Sequence, residues 1–317
     1  MKKITAIFLA LITAVSVFSG CSASVNTDSG KFNIICTIYP EYDWLKNLTD
    51  GAQNVETTLL LDNGADMHSY QPSVRDIVKI STCDMFIFVG GESDDWVYDA
   101  LDQAQNKDML VINLLDILGD KAKEEEEVEG MQTDKKGEDE PELDEHAWLS
   151  LKNAEFFCEK ISDKLIEADG KNKDIYEKNT LNYVDKLKEL DKKYQNELAN
   201  AKHDTLIFCD RFPFRYLVDD YNLNYYAAFP GCSSETDASF ETVIFLAEKL
   251  DEFGLSAVMT IDGSDSEIAD TVILASQSRS AEVLPLNSMQ SETIEKADGS
   301  YLSIMKNNLE VLKKALN

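Results

Sequence analysis

The chain has 317 residues, enough for one large domain or two mid-sized ones, and its content of 44% hydrophobic and 28% charged residues is typical of globular proteins. Its formal net charge of −29 is unusual. This charge argues against a nucleic-acid partner, because phosphates would repel the protein, whereas a surplus of carboxylates raises the local concentration of cations.

Residues 1–20 have the features of a signal peptide: two lysines near the start, an apolar stretch over residues 4–18, and small residues directly before Cys21. The apolar stretch is shorter than the roughly 20 residues that a membrane-spanning helix needs, although an uncleaved helix is the alternative. Phe18 departs from the leucine that is more usual in a lipidation signal. We predict cleavage before a lipidated Cys21, followed by a polar tether over residues 21–30.

Strand and helix patterns alternate over the segment that follows. Short apolar runs predict buried strands, and apolar residues at three- and four-residue spacing predict helices. Ser73 is placed to cap one of these helices, and Pro72 ends what precedes it. Such alternation predicts a parallel sheet with helices on both faces. The predicted strands cover residues 32–37, 56–61, 85–89 and 109–113, and the predicted helices cover residues 42–48, 73–80 and 94–102.

Residues 120–145 differ in composition from the segments on either side. Four consecutive glutamates occupy residues 124–127, further acidic residues follow, and few apolar residues are present to anchor the segment. We therefore predict a mobile acidic loop. Solvation of the protein and weak attraction of cations are equally good interpretations of its charge, because carboxylates on a flexible chain bind transition metals poorly.

A long helix is predicted in the middle of the chain. An amphipathic helix over residues 154–167 precedes it, and the long helix itself covers residues 172–201, with an apolar stripe that includes Tyr183, Leu187 and Leu190. At 1.5 Å per residue it would extend roughly 45 Å, enough to cross the molecule. Strand and helix patterns then alternate again, at residues 205–209, 212–220, 225–229, 240–253, 257–261, 266–277, 282–284 and 301–316.

These patterns predict an α/β protein of two lobes. Each lobe has a mostly parallel sheet flanked by helices, and one long rigid helix joins them. We assign residues 31–168 to the N-terminal lobe, residues 169–202 to the linking helix and residues 203–317 to the C-terminal lobe.

Five cysteines are present besides Cys21, and none of them forms a CxxC pair. An odd number leaves at least one free thiol, and a chain of this size does not need a disulfide framework. Cys36, Cys83 and Cys158 lie in apolar runs, so we predict that they are buried free thiols.

The chain has three histidines, His68, His146 and His203. His68 lies in a predicted loop between a strand and a helix, where α/β sheets commonly carry their sites, and His146 follows the acidic segment directly. Neutral imidazole is a good ligand for Zn²⁺ and similar ions, so these two residues could hold a metal together. On spacing alone, two capping or surface histidines are the simpler interpretation. We expect His203 to be a surface residue.

The segments around the first two histidines indicate a family. GADMHSYQP at residues 64–72 matches the pattern Gly-Ala-Asp-x-His-x-Tyr-x-Pro, and DEHAWL at residues 144–149 matches a ligating histidine before Trp-Leu. Both are motifs of the zinc and manganese solute-binding proteins of ABC importers, which the sequence resembles from about residue 31 to its end. Three further segments match that family, CTIYP at residues 36–40, DMFIFVG at residues 84–90 and YLSIMKNN at residues 301–308.

The resemblance implies that His68 and His146 are the first two metal ligands, and it leaves the third open. The family usually has a histidine or glutamate after the strand that follows the long helix, where this chain has Cys209. A thiolate is an excellent ligand for Zn²⁺ and a poor one for Mn²⁺. Asp210 or water is the alternative if Cys209 is only a small strand residue. Arg211 would either hold an acidic partner of the site or repel a cation.

The fourth ligand of the family is an acidic residue on a loop of the second lobe. Asp262 follows the apolar run VMTI directly and is our prediction, with Asp265 and Glu267 as alternatives. Cys232 and Glu235, in the segment PGCSSE, lie on another loop that could face the cleft and replace the strand cysteine.

The resemblance implies a solute-binding protein that captures Zn²⁺, with Mn²⁺ left open, and delivers it to an ABC importer. Its partners would be the importer permease with its ATPase, and the membrane through the lipid anchor. We expect a monomer without enzymatic activity, outside the cytoplasmic membrane, at the cell surface or in the periplasm. The alternatives are an adhesin-type surface lipoprotein and a zinc-dependent hydrolase, although no HExxH or Walker A motif is present.

Overall fold

The computed structural model describes residues 30–133, 142–233, 237–296 and 299–317. The predicted signal peptide, the predicted lipidation site at Cys21 and nearly all of the tether lie outside the described residues. Glu235, one of the alternative ligands, lies outside them as well.

The first half of the chain forms a parallel sheet flanked by helices. All four residues of one strand, MFIF at residues 85–88, are buried, as expected when helices cover both faces of a parallel sheet. The strands are β1 (Phe32–Cys36), β2 (Val55–Leu59), β3 (Met85–Phe88) and β4 (Leu110–Asn113), and the helices are α1 (Tyr39–Leu48), α2 (Val74–Thr82), α3 (Asp95–Asp102) and α4 (Leu114–Leu118). The strand order is β2-β1-β3-β4.

Side-chain caps mark the start of two helices in this half, α2 and α4. Ser73 Oγ accepts a hydrogen bond from Asp76 N at 3.3 Å, and the Asp76 carboxylate accepts one from Ser73 N at 3.1 Å. This capping box satisfies two backbone donors that the first turn of α2 would otherwise leave unpaired, and it confirms the predicted role of Ser73. Asn113 caps α4 in the same way through its side-chain oxygen.

The second half repeats the architecture. The strands are β5 (Thr205–Phe212), β6 (Asn224–Pro230), β7 (Ala257–Ile261) and β8 (Glu282–Leu286), all parallel and in the order β6-β5-β7-β8. Four helices flank these strands. They are numbered after the two central helices α5 (Leu151–Ala168) and α6 (Lys173–Leu198), and are α7 (Arg215–Tyr221), α8 (Phe240–Phe253), α9 (Glu267–Ala275) and α10 (Tyr301–Ala315).

Strand β5 is longer than predicted. The apolar pattern ends at Cys209, yet the strand continues through Asp210 and Arg211 to Phe212, with a register shift against β6 between Phe208 and Arg211. Pairing with β6 holds these polar residues extended. Pro213 follows, and because a residue before proline is disfavoured in helical conformation, the predicted helix begins only at Arg215.

Two long helices lie between the two sheets in the chain, α5 (Leu151–Ala168) and α6 (Lys173–Leu198). Helix α6 has 26 residues and extends about 39 Å. Its buried face contacts α1 on one side and α10 on the other: Tyr183 Oη donates to Asp43 Oδ2, and Tyr194 Oη donates to the Met305 carbonyl oxygen. The prediction of two parallel sheets with a long helix is therefore confirmed.

Residues 32–317 form one compact unit, and a main apolar core includes side chains from both sheets and from α5 and α6. The division into lobes at residues 31–168, 169–202 and 203–317 stays a prediction. Among the residues that the structure describes, no helix is both long enough and apolar enough to cross a membrane.

The described flanks of the acidic segment, within residues 120–145, contact the second half of the chain. Lys123 Nζ lies 2.7 Å from Asp219 Oδ2, and Gln132 N donates to the Ala228 carbonyl oxygen at 2.9 Å. Residues 134–141 lie outside the described part of the chain. The predicted mobility stays a prediction, but Lys123 and Gln132 have partners on α7 and β6 of the second half.

In both sheets, the direction in which successive strands are added reverses at a central position. The strand order reverses between β1 and β3 in the first sheet and between β5 and β7 in the second. Ligands of open α/β sheets bind at the carboxyl ends of strands beside such reversals. The loops that follow β2, β6 and β8 supply His68, Cys232 and Gln290, and the segment before α5 supplies His146.

Candidate metal centre

His68 lies in the loop after β2, on a single 3₁₀ turn at Met67–Ser69. Asp66 caps this turn, because its Oδ1 atom accepts a hydrogen bond from His68 N at 3.0 Å. Met67 is buried beside it and anchors the turn in the core. The loop therefore fixes the backbone that carries His68, and its side chain stays 12% exposed at the cleft.

His146 is fully buried, directly before a 3₁₀ turn at Ala147–Leu149. Asp144 Oδ1 accepts hydrogen bonds from His146 N at 2.8 Å and from His146 Nδ1 at 2.9 Å. The ring nitrogen facing a carboxylate carries the proton, so Nε2 presents a lone pair. Trp148 anchors the turn by donating its indole N–H to the Ser288 carbonyl oxygen at 2.9 Å.

The two imidazoles face each other through their Nε2 atoms, which are 3.1 Å apart. His68 Nδ1 lies 2.7 Å from Ser93 Oγ and 3.4 Å from Glu145 Oε2, and the nearby carboxylate favours the proton on this nitrogen. Two nitrogens bound to one tetrahedral Zn²⁺ at about 2.0–2.1 Å lie about 3.3 Å from each other. The observed separation is therefore close to what one shared ion requires.

A thiol completes a group of three candidate ligands. The nearest donor atoms of His68, His146 and Cys232 lie within 4.8 Å of one another. Cys232 follows β6, and its backbone N–H donates to Glu125 Oε1 at 2.8 Å. The sequence indicated Cys232 as an alternative to Cys209, and the structure brings it to the two histidines.

Gly231 allows the loop after β6 to approach His146 closely. A Cβ atom at this position would lie 2.9 Å from the Phe212 carbonyl oxygen and 3.0 Å from His146 Cε1. A larger residue would push the loop, and with it Cys232, away from the imidazole.

Gln290, in the loop after β8, was not among the residues predicted from the sequence. Its Nε2 atom is 2.8 Å from His68 Nε2 and 2.9 Å from His146 Nε2, and the residue is 4% exposed. Its Oε1 atom accepts a hydrogen bond from Ser288 Oγ at 2.8 Å. The sequence signal that could have indicated Gln290 was its position after the carboxyl end of a strand.

Burial and charge keep the His68 imidazole suited to a cation. Burial lowers the pKa of His68, and the neighbouring His146 lowers it further, so the ring is neutral near pH 7. Burial raises the pKa of the Cys232 thiol, and the carboxylates of Glu145 and Glu125 add to this effect. The thiolate is therefore favoured only when a positive charge binds beside it.

The structure does not gather Cys209 with the two histidines. Its side chain is 2% exposed and packs in an apolar cluster with Ile207, Ala228 and Phe229. Burial and the charge of Asp210 raise the pKa of its thiol. Cys209 also lines the cleft, but it is not part of the donor group described above.

The predicted acidic ligands are also apart from that group. Asp262 is exposed, and its Oδ2 atom accepts a hydrogen bond from Asn287 Nδ2 at 3.3 Å. Asp210 Oδ2 accepts from Ile261 N at 3.0 Å. Asp265 lines the cleft, and Glu267 is exposed at the start of α9. The assignments of Cys209 and Asp262 as ligands stay predictions.

Arg211 links the two halves beside the site. Its Nη2 atom lies 2.8 Å from Asp66 Oδ2, on the residue that caps the His68 turn. Burial acts to raise the pKa of Asp66, but the hydrogen bond and charge of Arg211 lower it below its ordinary value. Both residues line a cleft of about 400 Å³ that also exposes His68 and Cys232. This contact agrees with one of the two predicted roles of Arg211, which is to hold an acidic residue of the site in place.

Comparison with known proteins gives the family. The model of ZnuA, described as zinc-uptake complex component A, periplasmic, matches residues 34–315. The chain belongs to this family. The resemblance inferred from the two histidine motifs is thereby confirmed.

The relatives found by sequence carry zinc in their names. The zinc-binding lipoprotein AdcA of Streptococcus pneumoniae (strain ATCC BAA-255 / R6) is 31% identical over 315 residues, which are 99% of this chain and 61% of that protein. The high-affinity zinc uptake system protein ZnuA of Bacillus subtilis (strain 168) is 26% identical over 306 residues, 96% of this chain and 94% of that protein. The chain thus spans less than two thirds of the AdcA length.

Solved structures have the same fold. The Zn(II)-bound ZnuA-like domain of Streptococcus pneumoniae AdcA superimposes with a TM-score of 0.70 at 29% sequence identity, covering 90% of this chain and 99% of that chain. The metal-dependent lipoprotein YcdH from Bacillus subtilis gives a TM-score of 0.72 at 25% identity, covering 90% of this chain and all of that one. The fold predicted from the sequence is that of these family members.

Proposed function

We propose that this chain is an extracytoplasmic solute-binding protein that captures Zn²⁺ in the cleft between its two sheets and delivers it to a membrane importer. The observation that carries the proposal is the convergence of one ring nitrogen each from His68 and His146 with Cys232 Sγ within 4.8 Å. The names of the family and of its zinc-binding relatives support it.

The donor chemistry favours Zn²⁺. Two neutral imidazoles and one thiolate match the nitrogen and sulfur ligands that Zn²⁺ prefers, whereas Mn²⁺ prefers carboxylates and other oxygen ligands. The acidic residues nearest the site make hydrogen bonds to other groups. Asp144 holds the His146 ring, and Glu145 accepts a hydrogen bond from Ser93 N at 2.8 Å. We therefore propose Cys232, in place of Cys209, as the source of sulfur.

Binding without catalysis is the role that we propose. A zinc hydrolase needs an open coordination position and a general base beside it. The Glu145 carboxylate lies beside the His68 ring, and its oxygens face His68 Nδ1 and Ser93 N, on the side of the ring away from Nε2. It therefore supports the ligand and does not face the ion.

Delivery would require an importer permease and its ATPase, as well as a lipid anchor at Cys21 that keeps the protein at the outer face of the cytoplasmic membrane. The cleft supports release toward such a partner, because His68 stays partly exposed while His146 is fully buried. We propose that the protein acts as a monomer.

A competition titration with a chelator of known affinity tests the proposal. Residues 22–317 are titrated with Zn²⁺ and Mn²⁺, as the unaltered protein and as Cys232→Ala and Cys209→Ala variants. We expect one tightly bound Zn²⁺ per chain and weaker binding of Mn²⁺. Loss of a direct ligand should exceed the roughly 10–100-fold that loss of an outer partner costs, so Cys232→Ala should weaken Zn²⁺ binding by more than about 100-fold.

Cys209→Ala is the matched control, since it removes the other buried thiol that lines the same cleft. It should leave the affinity within a few-fold. No tight binding of either ion would contradict the proposed function. Strong weakening by Cys209→Ala alone would keep a metal-binding protein and return the sulfur ligand to β5.

A further inference from the structure

Gln290 contacts both of the imidazole nitrogens that would bind a cation. Its amide nitrogen is within 2.9 Å of both imidazole Nε2 atoms, and the side chain is almost completely buried. Amides lie outside the usual set of His, Cys and carboxylate ligands, so neither the sequence pattern nor the group of three donors includes it. The inference below rests on the proposed function.

Hydrogen-bond accounting explains the orientation of the amide. The Asp144 carboxylate favours the proton on His146 Nδ1, and Ser93 and Glu145 lie beside His68 Nδ1, an arrangement that favours acceptor lone pairs on both Nε2 atoms. Two lone pairs only 3.1 Å apart repel each other unless a donor lies beside them. The NH₂ group has two hydrogens and serves both rings at once.

A bound ion reverses this requirement. Zn²⁺ coordinated by both Nε2 atoms uses the two lone pairs, and the NH₂ hydrogens would then point at a cation. A half-turn of the terminal amide exchanges Nε2 and Oε1, and this torsion is intrinsically broad and roughly two-fold. Ser288 Oγ now donates to Oε1, and a hydroxyl can equally accept from an amide N–H after the turn.

We propose that Gln290 is a ligand of the transported ion and that its amide turns over on capture: its NH₂ group pairs the two imidazoles without the ion, and its Oε1 atom coordinates the ion when it is bound. The turned oxygen would stand within about 3 Å of both imidazole nitrogens, as neighbouring ligands of one tetrahedral ion do. His68, His146, Cys232 and Gln290 then make four ligands.

The loop after β8 is built to hold this side chain in place. Met289 has a φ of +59°, a left-handed conformation that is uncommon for residues other than glycine. Asn287 Oδ1 accepts a hydrogen bond from Met289 N at 2.7 Å. The side chain of Asn308 binds both the main-chain N–H and the carbonyl oxygen of Asn287. Such sparsely populated conformations persist where the surroundings determine them, often at ligand sites.

The amide has consequences for selectivity and release. A neutral oxygen leaves the thiolate as the only negative ligand, which disfavours ions such as Mn²⁺ that prefer carboxylates. When the ion leaves, the NH₂ group pairs both imidazoles again, so no buried acceptor is left unpaired. Gln290 therefore determines specificity and also prepares the site for release.

The test compares Gln290→Ala and Gln290→Glu in the full chain, purified in detergent, with Gln277→Glu as the matched control on an exposed turn after α9. Zn²⁺ and Mn²⁺ affinities are measured by competition, and Co²⁺ is used as a spectroscopic probe. We expect Gln290→Ala to weaken Zn²⁺ binding at least tenfold and to change the Co²⁺ absorption bands. Gln290→Glu should raise the affinity for Mn²⁺ relative to Zn²⁺ at least tenfold, whereas Gln277→Glu changes neither.

Side-chain amide NMR reports the turn directly. The Gln290 NH₂ signals are assigned by their disappearance in Gln290→Glu, and they should shift on Zn²⁺ binding as the donor loses its imidazole partners. If Gln290→Ala does not fold, the near-isosteric Gln290→Glu decides the result.

Three results would overturn the inference if the unaltered chain still binds Zn²⁺. They are an unchanged Zn²⁺ affinity and Co²⁺ spectrum in Gln290→Ala, an unchanged metal preference in Gln290→Glu, and NH₂ signals that do not shift when Zn²⁺ binds. Failure of the unaltered chain to bind Zn²⁺ or Co²⁺ would instead overturn both the inference and the proposed function.

Discussion

Asp144 offers a sharp test of how the protein prepares His146 for a metal. The substitution Asp144→Asn keeps the size of the side chain and one acceptor oxygen, but removes the negative charge beside His146 Nδ1. Asp144 is 2% exposed and accepts hydrogen bonds from both His146 N and His146 Nδ1. The charge makes the opposite nitrogen a better electron donor, so its loss should weaken metal binding without moving the ring.

The expected effect can be bounded. Outer partners of metal ligands contribute roughly 10–100-fold to affinity, or about 1.4–2.7 kcal/mol. Asp144→Asn should lie near tenfold, because the acceptor oxygen remains. Asp144→Ala should lie near 100-fold and should also lower the free energy of unfolding by about 1–3 kcal/mol, since the buried His146 N–H loses its partner.

The assay is a chelator competition for Zn²⁺, run beside thermal unfolding of the metal-free protein. Asp163→Asn is the control, since that side chain is 71% exposed on α5. It should change neither quantity. Equal Zn²⁺ affinity in Asp144→Asn and the unaltered protein would refute the reasoning, as would an equal loss in Asp163→Asn.

Three further predictions concern the surroundings of the site. Gly231→Ala should weaken Zn²⁺ binding about tenfold or more, because the new methyl group would meet Phe212 and His146, and overpacking of this kind costs about 1–3 kcal/mol; unchanged affinity in the same titration would contradict it. Arg211→Gln should speed the loss of Zn²⁺ to a chelator in stopped-flow measurements while changing the free energy of unfolding by less than about 1 kcal/mol, since its ion pair is partly exposed; an unchanged release rate would count against a positioning role. Burial and the charge of Asp94 raise the pKa of Glu41 to about 8, so the stability that depends on its proton is present below about pH 4.3 and is lost as the pH rises through 8. Glu41→Gln should therefore gain stability relative to the unaltered protein at pH 8.5 compared with pH 5, and parallel pH profiles in chemical denaturation would exclude this.

Much of the fold follows from local sequence signals. Helix α8 and strand β7 begin and end at the predicted residues, because each is a clear apolar pattern bounded by a cap or a glycine. Strand β5 was predicted too short, since its last residues are polar and only pairing with β6 keeps them extended. Tertiary contacts of this kind leave no periodic signal in the chain.

The ligands that lie in family motifs were predictable from the sequence. Those that depend on the direction in which a side chain points were not. His68 and His146 follow from family motifs, and the structure brings them together. Cys209 has the expected position in the sequence, but it lies within β5, where side chains alternate between faces, and its thiol packs into the apolar cluster. Cys232 reaches the histidines only because Gly231 allows a close approach.

Long-range contacts explain what the sequence could not indicate. Glu125, in the acidic segment, accepts the backbone N–H of Cys232 across 107 positions of the chain. Gln290 is separated from His68 by 222 positions, and an amide is not a usual metal ligand. Neither contact has a spacing that a motif could record.

Zinc K-edge X-ray absorption of the Zn²⁺-loaded protein tests the central claim most directly, because it counts sulfur ligands at about 2.3 Å and nitrogen or oxygen ligands at about 2.0–2.1 Å. The account predicts one sulfur in the unaltered chain, none in Cys232→Ala and one in Cys209→Ala. A spectrum without sulfur, or a sulfur signal that disappears in Cys209→Ala and persists in Cys232→Ala, would contradict it.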